Sequence, residues 1–293
     1  MKEVLKRMTR PESVMTWVVV AIFVTAAAFF YFIGGEDPAF FDSSGGTVST
    51  LSVAGSTTVL PFAEACAREF NREQKDVIVT VTGGGTDAGI NRLAAGLAEI
   101  AMASRKVDDA EMEDLGGHLA EHPIARDAVS IVVSRPIREA GIDDLSQDQL
   151  RAIYTGEITS WKELGGPDRE IIAVSRSPGS GTGEIFSERV ATPGVAVYRD
   201  SSAEVEKYIA GSDRAIGYLG LNLVCNEGLG VVAYEGVMPS VETVKDGSYP
   251  LARTLYMYTW GEPDENEWAF LDFVTGEKGQ TIAEELGFVP VST

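Results

Sequence analysis

Three observations predict an α/β fold with a mainly parallel sheet. Strand-type and helix-type patterns alternate from about residue 47 to the C-terminus. Residues 129–133 (VSIVV) are apolar throughout, as in a strand covered on both faces. Short Gly/Ser/Thr loops recur where a strand pattern gives way to a helix pattern, the place where ligands bind in parallel sheets.

Taken in order, residues 47–53 read as a strand. Val59, Phe62, Ala63, Cys66 and Phe70 then recur at helical spacing, with Pro61 in the first turn. Residues 77–81 (VIVTV) are a strand, 86–96 a helix, 100–103 a short strand and 108–116 a polar helix. Ser146 with Gln149 forms a capping box, Leu150, Ile153 and Tyr154 continue the apolar face, and Gly156 ends it. Residues 171–174 are a strand, followed by a glycine-rich turn and a helix from about Thr182. Further strands are expected at 215–219, 229–233 and 253–259, and helices at 264–275 and 277–286.

The chain has 293 residues, which suits about two domains at ~150 residues each. With 44% hydrophobic and 23% charged residues it can bury a sizeable core. Two cysteines exclude a disulfide-dense scaffold and a four-cysteine metal site. A net charge of −20 argues against nucleic acid as a partner.

The first 33 residues carry a net +2, leaving −22 for the rest. Residues 14–33 are uncharged and rich in aromatics, about the ~20 residues that cross a bilayer as a helix. The basic flank at 1–13 and acidic Glu36-Asp37 put the N-terminus in the cytoplasm and the bulk outside. The length of the stretch and its bulky end favour a retained membrane anchor over a cleaved signal peptide. Residues 34–48 read as a linker.

Three loops carry the candidate chemistry: Ser56-Thr57-Thr58 after Gly55, Gly83-Gly84-Gly85-Thr86-Asp87, and Ser177-Pro178-Gly179-Ser180-Gly181-Thr182-Gly183. Each would present a helix N-terminus with free N–H groups, glycines that allow close approach, and hydroxyl donors. Three such ends around one point would hold an oxyanion. Any one loop is also what an ordinary capped turn looks like; three of one composition are harder to read that way. None completes a nucleotide motif, and Pro178 removes the first glycine of a nucleophile elbow around Ser180.

These loops and their neighbours resemble the phosphate-binding protein family of Pst-type ABC importers. The resemblance is carried by AGSTTV (54–59), GGGTDAGI (83–90), IAMASRKV (100–107), IARDAVSIVV (124–133), LSQDQLRAIYTGEITSWKELGG (145–166), SRSPGSGTGEIF (175–186), AIGYLGL (215–221), YPLARTLYMYTWGEP (249–263) and FLDFVTGEKGQTIAEELGFVPV (270–291), in collinear order. It implies a two-lobed, type II periplasmic-binding-protein-like fold, here with lobe I over 49–127 plus 233–293 and lobe II over 128–232. It also implies phosphate captured between the lobes, delivery to the permease subunits of an ABC importer, a monomeric soluble region, no cofactor and no catalysis.

The resemblance assigns phosphate contacts to Thr57, Thr58, Thr86, Arg176, Ser180, Gly181 and Thr182, with Ser56 and Ser104 as additional donors. Some members place an aspartate after the serine at position 104; here Arg105 follows, either as a second anion donor or with another role. The acceptor that would distinguish protonated phosphate from sulfate must then come from elsewhere. Asp127, at the start of the apolar strand, is the first candidate and Asp87 the second; a solvated or Arg126-paired Asp127 is the plain alternative. If Asp127 is that acceptor, Asp127→Asn should reduce phosphate-over-sulfate discrimination more than fold stability. Sulfate, molybdate or tungstate receptors and a non-transport anion sensor are rival readings. A rival of a different class is an enzyme acting on phosphate esters, such as an extracellular phosphatase; it would need a nucleophile with a base or a metal cluster, and neither is seen.

His118 and His122, four apart, would share a helix face but lack further ligands for a metal. Cys66 and Cys225 read as buried thiols. Tyr256, Tyr258 and Trp260 alternate along a strand and read as packing residues.

Overall fold

The computed structural model describes residues 48–291. The expected N-terminus at 1–13, anchor at 14–33 and linker through residue 47 lie outside them. Among the described residues no helix is long and apolar enough to cross a membrane.

Lobe I opens with β1 (Ser49–Gly55), α1 (Leu60–Glu73), β2 (Val77–Gly83), α2 (Thr86–Ala94), β3 (Ile100–Ala103) and α3 (Asp109–Asp114). β1 pairs in parallel with β2 and β3, and α1 buries Phe62, Ala63, Cys66, Ala67 and Phe70 on the face its spacing predicts. The chain then leaves through β4 (Leu119–Ser134).

Lobe II holds α4 (Arg135–Glu139), β5 (Asp144–Leu145), α5 (Gln147–Thr155), β6 (Ile172–Arg176), α6 (Gly181–Arg189), β7 (Val197–Arg199), α7 (Ser202–Ala210), β8 (Ala215–Gly220), β9 (Leu229–Val231), β10 (Ala233–Tyr234) and α8 (Val241–Lys245). The capping box on α5 and its left-handed Gly156 terminus form as expected. β11 (Ala252–Trp260) returns to lobe I, and α9 (Glu265–Thr275) and α10 (Glu277–Glu285) close it.

One sheet runs through both lobes in the order β2-β1-β3-β11-β4-β8-β6-β7, with β9 also on β4. It is mixed rather than mainly parallel. The strand–helix repeats make the outer pairs parallel, but β4 and β11 cross between lobes in opposite directions and pair antiparallel. β4 faces β11 through Ala128 and β8 from Val129 onward, so one strand serves two cores. Leu51, Phe62, Met102, Leu255 and Phe270 lie in the first core; Val129, Tyr154, Trp161, Phe186 and Tyr218 lie in the second. Each such side chain contributes roughly 1.5–3 kcal/mol on burial.

Two expectations are corrected here. β4 starts at Leu119, well before 129; its first half carries half-exposed polar residues and Pro123, which argue against a strand. Pro123 is accommodated because the register with β11 shifts there, between Leu255 and Tyr256. Residues 233–251 belong with lobe II, not lobe I: β10 pairs with β5, and Val244, Tyr249 and Leu251 sit in the second core. The chain re-enters lobe I only at β11.

Candidate functional site

The three predicted loops meet at the lobe junction. β1 ends in the first loop, β2 leads to the second at the head of α2, and β6 leads to the third at the head of α6. Thr58 Oγ1 lies 3.0 Å from Thr182 Oγ1, and Ser104 Oγ lies 3.5 Å from both Thr182 Oγ1 and Thr86 Oγ1. A side chain on Gly181 would put its Cβ 2.7 Å from Thr86 Oγ1 and 2.9 Å from Ser104 Oγ, so only glycine allows this approach. Across the lobes, Asp87 N donates to Gly179 O at 3.2 Å. Thr58, Thr86, Ser104, Ser180 and Thr182 are all buried.

Arg176, at the end of β6, reaches into this cluster. Its Nη1 donates to Ser202 Oγ at 3.0 Å, and its Nη2 to Thr57 Oγ1 at 3.1 Å and to Asp200 O at 3.0 Å. Its Nε is buried with no partner, and no carboxylate pairs with it among the described residues. The residue is only 5% exposed. Burial, with a smaller contribution from the nearby positive Arg253, brings its pKa down to about 10. Tyr218 supports the strand end: its Oη lies 2.7 Å from Ser175 Oγ and accepts from Arg176 N at 3.2 Å.

Asp127 is fully buried at the point where β4 passes between lobes. It is neither solvated nor paired with Arg126, whose Nη2 donates to Val244 O. Arg253 on β11 donates to Asp127 Oδ2 from Nε at 3.0 Å and from Nη2 at 2.6 Å, and Leu221 N donates to Oδ1 at 2.9 Å. The same guanidinium donates from Nη1 to Thr182 Oγ1 at 2.8 Å, linking Asp127 to the hydroxyl cluster. Gly220 lets these groups converge: a Cβ there would lie 3.0 Å from Thr58 Cγ2 and 3.1 Å from Asp127 Oδ2.

Other expectations change. Arg105 is not free to donate to an anion: Asp87 Oδ1 (2.8 Å), Glu111 Oε2 (2.6 Å) and Glu184 hold its guanidinium. Burial works against its charge, but Glu111, Glu184 and Asp87 outweigh that and raise its pKa. Asp87 is thereby committed and partly exposed, which removes it as the buried acceptor. Ser56 accepts from Thr58 N at 3.2 Å and braces its own turn. His122 lies on β4, not on a helix shared with His118; its Nε2 is 3.0 Å from Thr259 Oγ1 and its ring packs on Trp268. Cys66 is buried and its thiol pKa is pushed up to about 12, but Cys225 is exposed.

Two residues escaped the sequence reading. Ser202, the first residue of α7, lies 3.3 Å from the hydroxyls of both Thr57 and Thr58. Its signal was the Asp200-Ser201-Ser202 run before a helix, a fourth strand-to-helix loop. Arg253 was hidden in the alternation of β11.

Two α/β lobes, joined by crossing strands and closed on a buried cluster of hydroxyls and guanidinium, define a solute-binding fold of the periplasmic-binding-protein type. A family model described as PBP superfamily domain matches residues 42–278. The phosphate-binding protein PstS of Bacillus subtilis is 31% identical over 279 residues, covering 93% of this chain and 92% of that protein. A substrate-binding protein from Clostridium perfringens, solved with bound phosphate, superposes with a TM-score of 0.77 at 33% identity, covering 83% of this chain and 100% of that one. An ABC-type phosphate transport receptor from Vibrio cholerae gives a TM-score of 0.68 at 26% identity, covering 82% and 99%. The chain belongs to the PBP superfamily, among the PstS phosphate-binding proteins.

Proposed function

We propose that this protein is the extracytoplasmic receptor of a phosphate importer, which captures inorganic phosphate between its lobes and passes it to the permease subunits of an ABC transporter. The observation that carries this is Arg176: a buried cation with no carboxylate partner among the described residues. A buried charge without a counter-ion costs several kcal/mol, and an oxyanion beside it offsets that. The guanidinium would supply parallel donors, with Thr57, Thr58, Thr86, Ser104, Thr182 and Ser202 adding hydroxyls and the 180–182 turn adding amides. A carboxylate offers about four lone-pair sites, and Asp127 uses three on Arg253 and Leu221. The remaining site would accept the proton that phosphate carries and sulfate lacks. No bond is made or broken, the soluble region is monomeric, and the apolar N-terminal stretch is its tether.

Isothermal titration with orthophosphate, repeated with sulfate as competitor, tests the reading. Tight phosphate binding that sulfate displaces only weakly is expected; no heat with orthophosphate would overturn it. Turnover of a chromogenic phosphate ester would overturn the non-enzymatic part.

A further inference from the structure

Beside the hydroxyl cluster a partly open cavity of about 380 Å³ lies between the lobes. Its walls come from both lobes: Arg105 and Lys106 follow β3, Glu188 and Arg189 end α6, and Arg126 and Arg253 come from the crossing strands. Five of these six charged residues are cations, in a chain of net charge −20. Three are already neutralised, Arg105 by its three carboxylates, Lys106 by Glu121 and Arg253 by Asp127.

Arg126 and Arg189 differ. Among the described residues neither pairs with a carboxylate. Arg126 Nη2 donates to Val244 O at 2.7 Å, and Arg189 Nη1 donates to Ala252 O at 2.9 Å. Arg126 is half-buried and Arg189 exposed; both guanidiniums rest against the carbonyls of the segment that returns to β11, with N–H groups to spare, and Glu188 is the one acidic side chain in the lining. Groups fixed before the ligand arrives lose little freedom on binding it.

We propose that this cavity is a second oxyanion site, which takes a phosphate-type anion between Arg126 and Arg189 with Arg253 behind them. Arg253 is shared with the first site through its hydrogen bond to Thr182. Because both lobes line the cavity, an anion there binds the closed arrangement better than an opened one. By linkage it stabilises the closed arrangement and tightens binding of the first anion, and because opening must part the lobes around it, release of the first anion is slower. The inference rests on the reading of the hydroxyl cluster as the primary phosphate site, and the test separates the two.

Orthophosphate is titrated into the protein to millimolar concentration by calorimetry, and release from the primary site is followed by stopped flow. The expected isotherm has a tight event and a weaker one. In the double variant Arg126→Gln/Arg189→Gln the weak event loses about tenfold or more in affinity, as expected for losing two charge-assisted contacts, while the tight event is kept. Release slows at high phosphate in the parent and not in the double variant. Arg68→Gln, an exposed arginine elsewhere, changes neither. A tight event alone, or a weak event that survives the double variant, overturns the second site. Loss of the tight event in the parent itself would instead overturn the primary reading. Retention of the tight event in the double variant also reports that it folds.

Discussion

Two arginine-centred regions flank the first turn of α6, and they are built in opposite ways. Among the described residues Arg176 touches hydroxyls and a backbone carbonyl but forms no ion pair with a carboxylate, and burial lowers its pKa to about 10 despite Asp200 and Glu204 nearby. Around Arg105 there are three carboxylates from both lobes, and its pKa is raised. A cation at a lobe junction is therefore not in itself an anion site. What matters is whether the protein has already supplied the counter-charge. Arg253 stands between the two, buried like Arg176 but paired one-to-one with Asp127.

The largest effect that sharpens this comparison is on stability. Asp127→Asn leaves Arg253 buried and charged without its partner, so chemical denaturation should show a loss of about 3–5 kcal/mol. This revises the sequence expectation that the change acts mainly on anion discrimination: the ion pair makes Asp127 structural as well. A denaturation midpoint equal to the parent's would show that the pair is not formed.

Arg176→Gln should do the reverse. Phosphate affinity should fall about a hundredfold or more by calorimetry, as expected for losing charged donors in a buried site. The ligand-free protein should melt no earlier than the parent, since an uncompensated buried charge has been removed. A marked drop in melting temperature with affinity intact would break the contrast with Arg253.

Gly181→Ala addresses closure. The new methyl meets Thr86 Oγ1 and Ser104 Oγ inside contact distance, so the lobes cannot seat fully. Overpacking costs about 1–3 kcal/mol, so affinity should fall on the order of tenfold, read by the same titration. Unchanged affinity would mean that the three loops do not meet when ligand is bound.

The smallest effect concerns the over-supplied region. Arg105 is one cation shared by three carboxylates, so it gains while Glu184, arriving from the other lobe, loses: burial first, then Asp87 and Glu111, raise its pKa despite Arg105. A carboxyl whose folded pKa is raised binds its proton more tightly in the native state. It contributes stability in acid that is lost as pH rises through that pKa. Glu184→Gln should therefore be slightly more stable than the parent at neutral pH, with the difference closing as pH falls through the carboxylate range. Melting curves across that range check the sign; an advantage that grows in acid would refute it.

Much of the candidate site was legible because its chemistry is local. Thr57, Thr86, Ser180 and Thr182 sit in loops whose glycines and hydroxyls announce a strand-to-helix turn wherever they occur, and the structure brings those loops together. Arg253 was not legible: its partner lies 126 positions away, and its place in an alternating strand looks like packing. Ser202 was missed because α7 carries no glycine-rich loop before it. Cys225 was misread because an apolar neighbourhood in sequence does not ensure cover in space.

Composition and periodicity were enough to determine the alternation of strands and helices, the faces those helices bury and the kinds of donor at their ends, because these depend on neighbours within a few residues. Which arginine is neutralised, where the chain returns to its first lobe and which hydroxyls meet across the junction were settled only by folding. Those are distances between residues far apart in the chain, and electrostatic and hydrogen-bond energies fall off over a few ångströms. Arg105, Arg176 and Arg253 are the same residue type, and only the company each keeps in the folded chain makes them differ.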